Sequence, residues 1–355
     1  MPVDGFTFPG LPARVIFGDG TLAEVGPEIA RLDRRRALVL ATPGHGAAAA
    51  RLAEDLGQQA AGVFAGAAMH TPIEVTEAAL SAYADSGADC VVSLGGGSTI
   101  GLGKAIAVRT GADQVAVPTT YAGSEMTDIL GETAAGRKTT RRDPAIRPET
   151  VIYDVALTLG LPPALTASSG LNALAHAVEA LYARDRNPVM TLFAGEAFAA
   201  LAGALPALAA APGDRAARAR ALYGAWLCGA ALGGTTMALH HKLCHVLGGS
   251  FGLPHSETHA VILPHATAYN APAAGELLAP VSAALDGAEP GRGLYDLAQV
   301  IGAPRALRDL GLAEADLDRA ADIAMESPYW NPRPIERAGI RALLAAAWAG
   351  EPPAA

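Results

Sequence analysis

The hydrophobic positions follow one pattern in the first part of the chain and another in the second. Short β-rich apolar runs, bounded by Gly, Pro or Thr, alternate in the first part with helix-length stretches such as 47–56 and 75–84. This alternation is typical of βαβ units and predicts a mainly parallel sheet, whose ligands bind at the carboxyl ends of its strands. The runs predicted as strands are 14–17, 37–41, 90–94, 115–117 and 150–153.

From residue 163 onward, apolar residues, mostly Ala and Leu, recur at helical spacing, and Pro or Gly interrupts them at intervals. No convincing β-branched run occurs in this part of the sequence, which therefore predicts an all-helical second domain. We place the boundary at residue 158. It divides the chain into an α/β domain (residues 1–158) with a Rossmann-like, mainly parallel sheet and an all-α domain (residues 159–355). A cleft between two such domains is the default place for a ligand.

Composition and charge narrow the classes of function. The 355 residues are 51% hydrophobic and 17% charged, which is typical of a globular chain and excludes a disordered one. A net charge of −9 without a basic block argues against nucleic acid as the partner. The sequence has three cysteines without metal-type spacing, which fits a reducing compartment and implies no disulfide framework.

Two further features of the sequence concern its cellular location. The first residues show neither the basic segment nor the apolar segment of a secretory signal, so we expect a cytoplasmic protein. Residues 221–239 carry no charge and reach the length of a membrane span. Because this stretch contains several Gly residues and a Thr pair, and no second span accompanies it, we interpret it as a soluble helix packed on all sides.

A glycine-rich turn follows the predicted strand 90–94. It reads Gly95-Gly96-Gly97-Ser98 and precedes a helical run. Glycines let a backbone approach a pyrophosphate closely, and the amides and dipole of a helix N-terminus favour its negative charge. The turn therefore predicts a nucleotide site, although a simple strand-to-helix connection also explains it and it does not match the G-x-G-x-x-G fingerprint.

A second polar loop, residues 118–127, follows the predicted strand 115–117. Its hydroxyl groups are suited to donate to a ribose or a phosphate, although a capped polar loop explains them equally well. The candidate cofactor contacts in this loop are Thr119, Thr120 and Ser124.

Histidines are the most unusual feature of the sequence. Six of the nine lie between residues 240 and 265. His241 and His245 are four residues apart, so one helical face carries both, and His255 follows a Gly-rich segment. Asn172 and His176 repeat the same spacing upstream. Neutral imidazoles are common metal ligands, but we find no carboxylate beside them at matching spacing, only the amide of Asn172.

Together these motifs resemble the iron-containing (group III) alcohol dehydrogenases, and within that family most closely the maleylacetate reductases. The resemblance extends from Arg14 to residues 331–335 and implies the fold shared with dehydroquinate synthase. It also implies that residues 1–158 bind NADH or NADPH and that residues 159–355 bind the substrate and carry catalysis. The cofactor-binding residues it implies are Gly95, Gly96, Gly97, Ser98, Thr119, Thr120, Ser124, Lys138 and Thr42.

The sequence departs from the metal-dependent members of the family at one ligand position. Three histidines match their metal ligands, but Asn172 stands where those members carry an aspartate. Loss of this anionic ligand weakens the binding of a divalent cation, so we expect no required metal, although three imidazoles alone can hold zinc. The three matching histidines are His176, His241 and His255.

Two further departures concern the cofactor. Gly101 replaces an aspartate usual in the wider family, and Thr42 replaces the aspartate that commonly holds the adenosine ribose. Without the second carboxylate NADPH is not repelled and NADH loses one contact, so we expect both cofactors to serve.

The resemblance implies that the substrate is maleylacetate or a substituted maleylacetate, a dicarboxylate reduced to 3-oxoadipate in the degradation of aromatic compounds. Hydride would add to the alkene carbon beta to the ketone, and the resulting enolate oxygen needs an electrophile. An imidazolium would supply a hydrogen bond and then the proton, and a nearby cation would hold a carboxylate. The residues expected to take part in substrate binding and catalysis are His241, His245, His255, His176, Asn172 and Lys242.

Three other functions fit the sequence less well. A metal-dependent alcohol or aldehyde oxidoreductase of the same family would bind its metal tightly, and a cyclase of the dehydroquinate-synthase kind would retain a complete metal site. A silent nucleotide-binding protein would bind NADH without turnover. The family also suggests a homodimer, whereas we expect neither a membrane nor a nucleic acid as partner.

Overall fold

The computed structural model describes residues 6, 8, 10, 13–134, 137–326 and 329–353. The chain forms two compact units, Gly10–Leu161 and Pro162–Ala355, which are treated separately below. The boundary predicted at residue 158 falls at the end of a short 3₁₀ helix, Val155–Thr158.

The first unit holds all strands found in the described residues. Its strands are β1 (Arg14–Gly18), β2 (Ala37–Leu40), β3 (Ala60–Phe64), β4 (Cys90–Gly95), β5 (Asp113–Pro118), β6 (Ile129–Ala134), β7 (Arg137–Arg142) and β8 (Thr150–Asp154). Six of them form a parallel sheet in the order β1-β8-β5-β4-β2-β3, while β6 and β7 pair as an antiparallel hairpin. The predicted fold class is therefore confirmed. The predicted strands are all present, but the sequence pattern missed β3 and the hairpin.

Helices cover both faces of this sheet. They are α1 (Val25–Arg31), α2 (Gly46–Leu56), α3 (Ile73–Ser86) and α4 (Gly97–Thr110). Alternate strand residues point to opposite faces, so Val39 packs in one core with α1 and α2, while Leu38 and Leu40 pack in another with α3 and α4. Strands buried on both faces explain the continuous apolar runs of the sequence.

The order of the strands marks one place where a ligand would be expected. From β2 the sheet continues to β3 on one side and to β4 on the other. Connections that leave neighbouring parallel strands in opposite directions open a crevice at their carboxyl ends. Thr42 follows β2 and Gly95 ends β4, so both lie at this switch point.

The regular elements found among the described residues of the second unit are all helices. Its helices are α5 (Pro163–Tyr182), α6 (Pro188–Ala210), α7 (Arg215–Gly234), α8 (Leu239–Phe251), α9 (His255–Ala274), α10 (Ala279–Ala284), α11 (Pro290–Val300), α12 (Leu317–Met325) and α13 (Arg337–Ala349). Helix α5 is buried along almost its whole length, packed against α6, α7 and α9. An apolar core of small residues lets these helices approach closely, as the Ala-rich sequence predicts.

Two stretches of this unit pass a membrane-span test by length and composition. Helix α6 does so by itself, but half of its most apolar window is buried inside the protein, as in a core helix. The uncharged stretch 221–239 does not form one helix, because α7 ends at Gly234 and α8 begins at Leu239 with a bend of 95°.

Candidate active site

The glycine turn of the first unit needs bare backbone for a steric reason. A Cβ atom on Gly95 would lie 2.5 Å from Thr99 Oγ1, and one on Gly96 would lie 2.9 Å from Thr120 Oγ1. Gly95 also has φ 154°, which side chains rarely adopt. Helix α4 begins at Gly97, so the free amides of its first turn are available to an anion, as the sequence predicts for a pyrophosphate.

The hydroxyl residues after β5 divide into two groups. Thr119 donates its backbone N–H to the Gly95 carbonyl at 3.1 Å, and its buried Oγ1 has no hydrogen-bond partner. Thr119 and Thr120 therefore adjoin the glycine turn and stay candidates for a cofactor contact. Ser124 has a different task, since its carbonyl and hydroxyl oxygens accept hydrogen bonds from Lys104 at 2.5 and 3.3 Å.

Lys104 is a structural residue that the sequence pattern did not reveal. Its side chain on α4 is fully buried, and its ammonium group also donates to Thr127 Oγ1 and the Ile129 carbonyl, both at 2.9 Å. Burial lowers the pKa of Lys104 to about 7, against the opposing effect of the nearby Glu125 carboxylate. Through these hydrogen bonds Lys104 holds the loop between β5 and the β6–β7 hairpin in place.

Replacing Lys104 by Met should lower the free energy of unfolding by about 3 kcal/mol, because several buried acceptors lose their donor while the side-chain volume is kept. Urea unfolding at neutral pH measures the change. Arg51→Met, at an exposed position of α2, is the control. Equal effects of the two substitutions would contradict the role given to Lys104.

The structure gives a local reason for Gly101, the position at which the wider family usually has an aspartate. A Cβ atom here would lie 2.6 Å from Thr71 Oγ1. Thr71 and His70 both adopt left-handed backbone conformations, with φ of 47° and 65°, in the connection that follows β3. Because these conformations cost energy for residues other than Gly, the connection is held in place by its surroundings, and Gly101 leaves room for it.

Several basic residues, among them Lys138, lie on the hairpin of β6 and β7. Lys138 is part of β7, but its side chain lies outside the described part of the chain, so its predicted contact with the cofactor ribose stays a prediction. Arg141 pairs with Asp143 at 3.5 Å and Arg142 with Asp128 at 3.6 Å. Both arginines are half exposed, which favours an ordinary solvated face.

In the second unit, the predicted histidines come together from three helices. Asn172 and His176 lie one turn apart on α5, His241 lies in the first turn of α8, and His255 begins α9. The His176 and His241 rings stack with their centroids 5.1 Å apart. Burial, reinforced by His241 and His255, holds the pKa of His176 well below its ordinary value. The ring of His176 is therefore neutral at physiological pH and free to accept or ligate.

A buried carboxylate, Glu179, organises this cluster. Its Oε2 accepts a hydrogen bond from His241 Nδ1 at 2.7 Å and from the Ala238 backbone N–H at 2.9 Å, while Oε1 accepts from the His240 N–H at 2.8 Å. Glu179 thus caps the N-terminus of α8, where negative charge is favoured by the helix dipole. It also fixes the proton of His241 on Nδ1, so that Nε2 carries a lone pair; this atom is buried and has no hydrogen-bond partner among the described residues.

The sequence expectation that no carboxylate accompanies the histidines is therefore wrong. Glu179 lies three residues after His176 on the same helix, a spacing that places them on neighbouring positions of one face. That spacing was a usable signal. The rings of His240 and His259, which the spacings do not single out, also lie within the cluster, with centroids 5.2 and 5.1 Å from that of His241.

Two predicted catalytic residues, His245 and Lys242, lie at the margin of the histidine cluster. His245 is exposed, one turn after His241, with the two ring centroids 6.3 Å apart. Lys242 donates to the Glu326 carbonyl at 2.8 Å, and its ammonium group lies 5.5 Å from the centre of the Tyr329 ring. These contacts tie Lys242 to the segment that follows α12, so its predicted role in holding a substrate carboxylate has no support from its present contacts.

The side chains of the cluster are of the chemical kinds that bind divalent cations. His176, His241 and His255 offer imidazole nitrogens, and the carboxylate behind His241 is the outer partner that metal-binding histidines usually have. The unpaired, buried Oδ1 of Asn172 adds a neutral oxygen. The described residues of the site thus offer neutral ligand atoms for a metal but no anionic one in direct contact with it. The expectation that no metal is required stays a prediction.

With its two units described, the chain can be placed in a family. Residues 12–155 match the model of the iron-containing alcohol dehydrogenases, and residues 166–348 match the C-terminal model of the same family. The chain belongs to this family and is an oxidoreductase.

Relatives of high sequence identity show which subgroup of the family the chain resembles. The chain is 58% identical to a maleylacetate reductase from Rhizobium sp., over 98% of this chain and 99% of that one. It is 52% identical to a maleylacetate reductase from Burkholderia cepacia, over 99% and 100% of the two chains. A crystal structure of maleylacetate reductase from Agrobacterium tumefaciens superposes with a TM-score of 0.96 at 57% identity, covering 99% of this chain and 100% of that one. The predicted resemblance to this subgroup is confirmed.

Proposed function

We propose that this protein reduces the carbon–carbon double bond of maleylacetate, or of a substituted maleylacetate, to give 3-oxoadipate in the degradation of aromatic compounds. The observation that carries the proposal is similarity along the whole chain to maleylacetate reductases, at 45% to 58% identity among eight relatives. The buried imidazole cluster supports it, because an enone reduction needs a hydrogen-bond donor for the ketone oxygen and a proton for carbon.

The reaction consumes one dihydronicotinamide and one proton. Hydride forms a bond to the alkene carbon beta to the ketone, the double bond shifts to make an enolate, and a proton then adds to the carbon next to the ketone. We assign cofactor binding to the glycine turn 95–98 with Thr119 and Thr120. We assign substrate binding and protonation to the cluster around His241, whose ring Glu179 holds and whose buried Nε2 has no hydrogen-bond partner among the described residues.

A divalent cation has a place in this family, and His176, His241 and His255 would hold it. When bound, it would supply Lewis-acid charge for the ketone oxygen. We propose nevertheless that the reaction does not require it, because Asn172 contributes no charge to the ligand set.

The test is to follow oxidation of NADH and of NADPH with freshly prepared maleylacetate, before and after chelation, alongside the metal content of the protein. We expect turnover that chelation leaves unchanged. Reduction of simple aldehydes that depends on added metal, with no turnover of maleylacetate, would overturn the proposal and favour a metal-dependent alcohol or aldehyde oxidoreductase.

Cofactor choice gives a separate prediction at Thr42. Its hydroxyl lies 3.0 Å from His45 Nδ1 at the carboxyl end of β2, and no carboxylate is contributed at that position. Thr42→Asp should lower kcat/KM with NADPH relative to NADH roughly tenfold, since a carboxylate there repels a 2′-phosphate and accepts from ribose hydroxyls. Thr42→Asn keeps the shape without the charge and should leave the ratio near that of the unmodified enzyme. An unchanged ratio in Thr42→Asp would place the ribose elsewhere.

We also propose that the enzyme works in the cytoplasm as a homodimer. Sedimentation of the purified protein tests the oligomeric state, and a monomer at micromolar concentration would refute it.

A further inference from the structure

The side chain of Asn331, in the segment between α12 and α13, has no part in the assignments above. It forms a reciprocal amide pair with Asn270 of α9. Asn331 Nδ2 donates to Asn270 Oδ1 at 2.7 Å, and Asn270 Nδ2 donates to Asn331 Oδ1 at 3.0 Å. Asn331 Nδ2 also donates to the Arg333 carbonyl at 2.7 Å, and Asn331 Oδ1 accepts the Leu239 backbone N–H at 3.4 Å.

These hydrogen bonds use the whole capacity of the Asn331 amide. An Asn side chain has two N–H donors and two acceptor lone pairs, and here each of them has a partner. Asp lacks the two donors, Gln is longer by one methylene, and Leu has the shape of Asn without any polar atom. The network therefore depends on Asn at this position.

The network joins the three helices that supply the histidine cluster. Asn270 lies on α9 and is completely buried. Its Nδ2 also donates to the hydroxyl of Tyr182 at 3.4 Å, and Tyr182 lies on α5, three residues after Glu179. Leu239 is the first residue of α8. Through Asn331 and its partner, the segment before α13 is thus tied to α5, α8 and α9 at one point.

The start of α8 is where this network meets the candidate site. The first N–H groups of a helix have no partner within the helix itself. Of the consecutive amides 238–240, Glu179 binds the first and the third, and Asn331 binds the second. Two side chains from different parts of the chain therefore hold this helix start together. His241, whose ring belongs to the cluster, is the next residue.

We propose that Asn331 is a positioning residue for catalysis, which acts on His241 through the start of α8. By holding the Leu239 amide against α9, it fixes the first turn of α8 and with it the distance of the His241 ring from the imidazoles of α5 and α9. A fully satisfied network is rigid, and displacing a catalytic group by about 1 Å can lower a rate about 100-fold. This assignment rests on the proposed function.

The competing explanation is that Asn331 only attaches its segment to the protein core. Tyr269 offers a matched control, because it also attaches this segment to α9. Its hydroxyl donates to the Pro334 carbonyl at 2.7 Å and accepts from the Glu336 N–H at 3.4 Å, and neither hydrogen bond involves α8. Tyr269→Phe thus weakens the attachment of the segment and leaves the amides at the start of α8 untouched.

Kinetics of three variants separate the two explanations. Asn331→Leu removes the whole network and should lower kcat for maleylacetate about 30-fold, within the range found when a residue that orients a functional group is removed. The KM for NADH should stay unchanged, since the hydrogen bonds of Asn331 all lie in the second unit. Tyr269→Phe should leave kcat unchanged.

Asn331→Asp is the conservative variant. It keeps an acceptor for the Leu239 N–H, at a helix start where negative charge is favoured, and should retain at least about five times the kcat of Asn331→Leu. Should Asn331→Leu not fold, Asn331→Ala takes its place. The proposal is overturned if removal of the amide leaves kcat unchanged, or lowers it no more than Tyr269→Phe or Asn331→Asp does.

A double variant with Glu179→Gln tests whether both residues act on the same helix start. Its loss of kcat should be smaller than the product of the losses in Glu179→Gln and Asn331→Leu alone, because both substitutions release one element. Losses that multiply would show that Asn331 acts elsewhere, and would overturn the proposal.

A measurement without turnover keeps this inference distinguishable from the proposed function. In protein with ¹³C-labelled histidine, the ring Cε1–H signal of His241 is identified by its absence in His241→Gln. We expect this signal to shift in Asn331→Leu and to stay in place in Tyr269→Phe. An unmoved signal in Asn331→Leu, or equal shifts in both variants, would overturn the inference. Absence of maleylacetate turnover in the unmodified protein, with the signal shifted as expected, would refute the proposed function instead.

Discussion

Glu179→Gln should reduce kcat/KM for maleylacetate about 100-fold, the upper range found when the partner of a functional histidine is removed. Glu179 accepts hydrogen bonds from the Ala238 and His240 amides and from His241 Nδ1 and donates none. A Gln side chain has one oxygen and one NH₂ group, so in either orientation the NH₂ group faces an N–H donor. Only a carboxylate satisfies all three donors.

The consequence for His241 is a change of orientation or tautomer. With Gln, the proton of the ring is no longer fixed on Nδ1, and Nε2 no longer has one defined role toward the substrate. The same mismatch at the start of α8 should lower the free energy of unfolding by about 2 kcal/mol. Steady-state kinetics and urea unfolding measure the two effects.

The control for this substitution is Glu196→Gln, which makes the same chemical change at an exposed position of α6. We expect it to alter neither quantity appreciably. Glu179→Asp restores the charge one methylene further away and should recover part of the lost activity. If Glu179→Gln unfolded more easily but kept full kcat/KM, Glu179 would be a helix cap and nothing more.

Burial imposes a readable pattern on the four inner strands of the parallel sheet, and the strands that the pattern missed lack this burial. Strands β2, β4, β5 and β8 are apolar and almost entirely buried, so their runs stand out in the sequence. Strand β3 is an edge strand that contains Gly62 and is only partly buried, and the hairpin of β6 and β7 is largely polar. Polar and Gly-containing strands depend on pairing with a neighbour, which one sequence does not show.

The candidate site could likewise be predicted only in part. The density of histidines predicted a cluster, and the spacings of Asn172 with His176 and of His241 with His245 placed them correctly on helix faces. The role of Glu179 depends on the approach of the start of α8 to the last turn of α5, a tertiary contact between residues about sixty positions apart. For the same reason the hydrogen bond between His240 and His259 follows only from the packing of α8 against α9.

Asn172→Asp should raise the affinity of the cluster for Zn²⁺ or Fe²⁺ about 100-fold, because it adds the charged oxygen ligand that the set of imidazoles lacks. Asn172 lies one turn before His176 on α5, is 4% exposed, and has an Oδ1 atom without a hydrogen-bond partner in the described part of the chain. A carboxylate at this point therefore has no other donor to satisfy it. Without metal, the buried charge should make the variant less stable than the unmodified protein.

Metal titration by calorimetry and thermal unfolding with and without Zn²⁺ measure this prediction independently of activity. Since a ligand that binds only the folded state stabilises it in proportion to the logarithm of its concentration over Kd, the rise in Tm on adding Zn²⁺ should be larger in Asn172→Asp than in the unmodified protein. Asn187→Asp is the matched control. It makes the same change at the N-cap of α6, where Asn187 Oδ1 accepts from the Met190 N–H at 3.0 Å and Asp serves equally well. If both variants bound Zn²⁺ with the affinity of the unmodified protein, residue 172 would not face the cluster. A low metal affinity of this site would then need a cause other than the missing carboxylate.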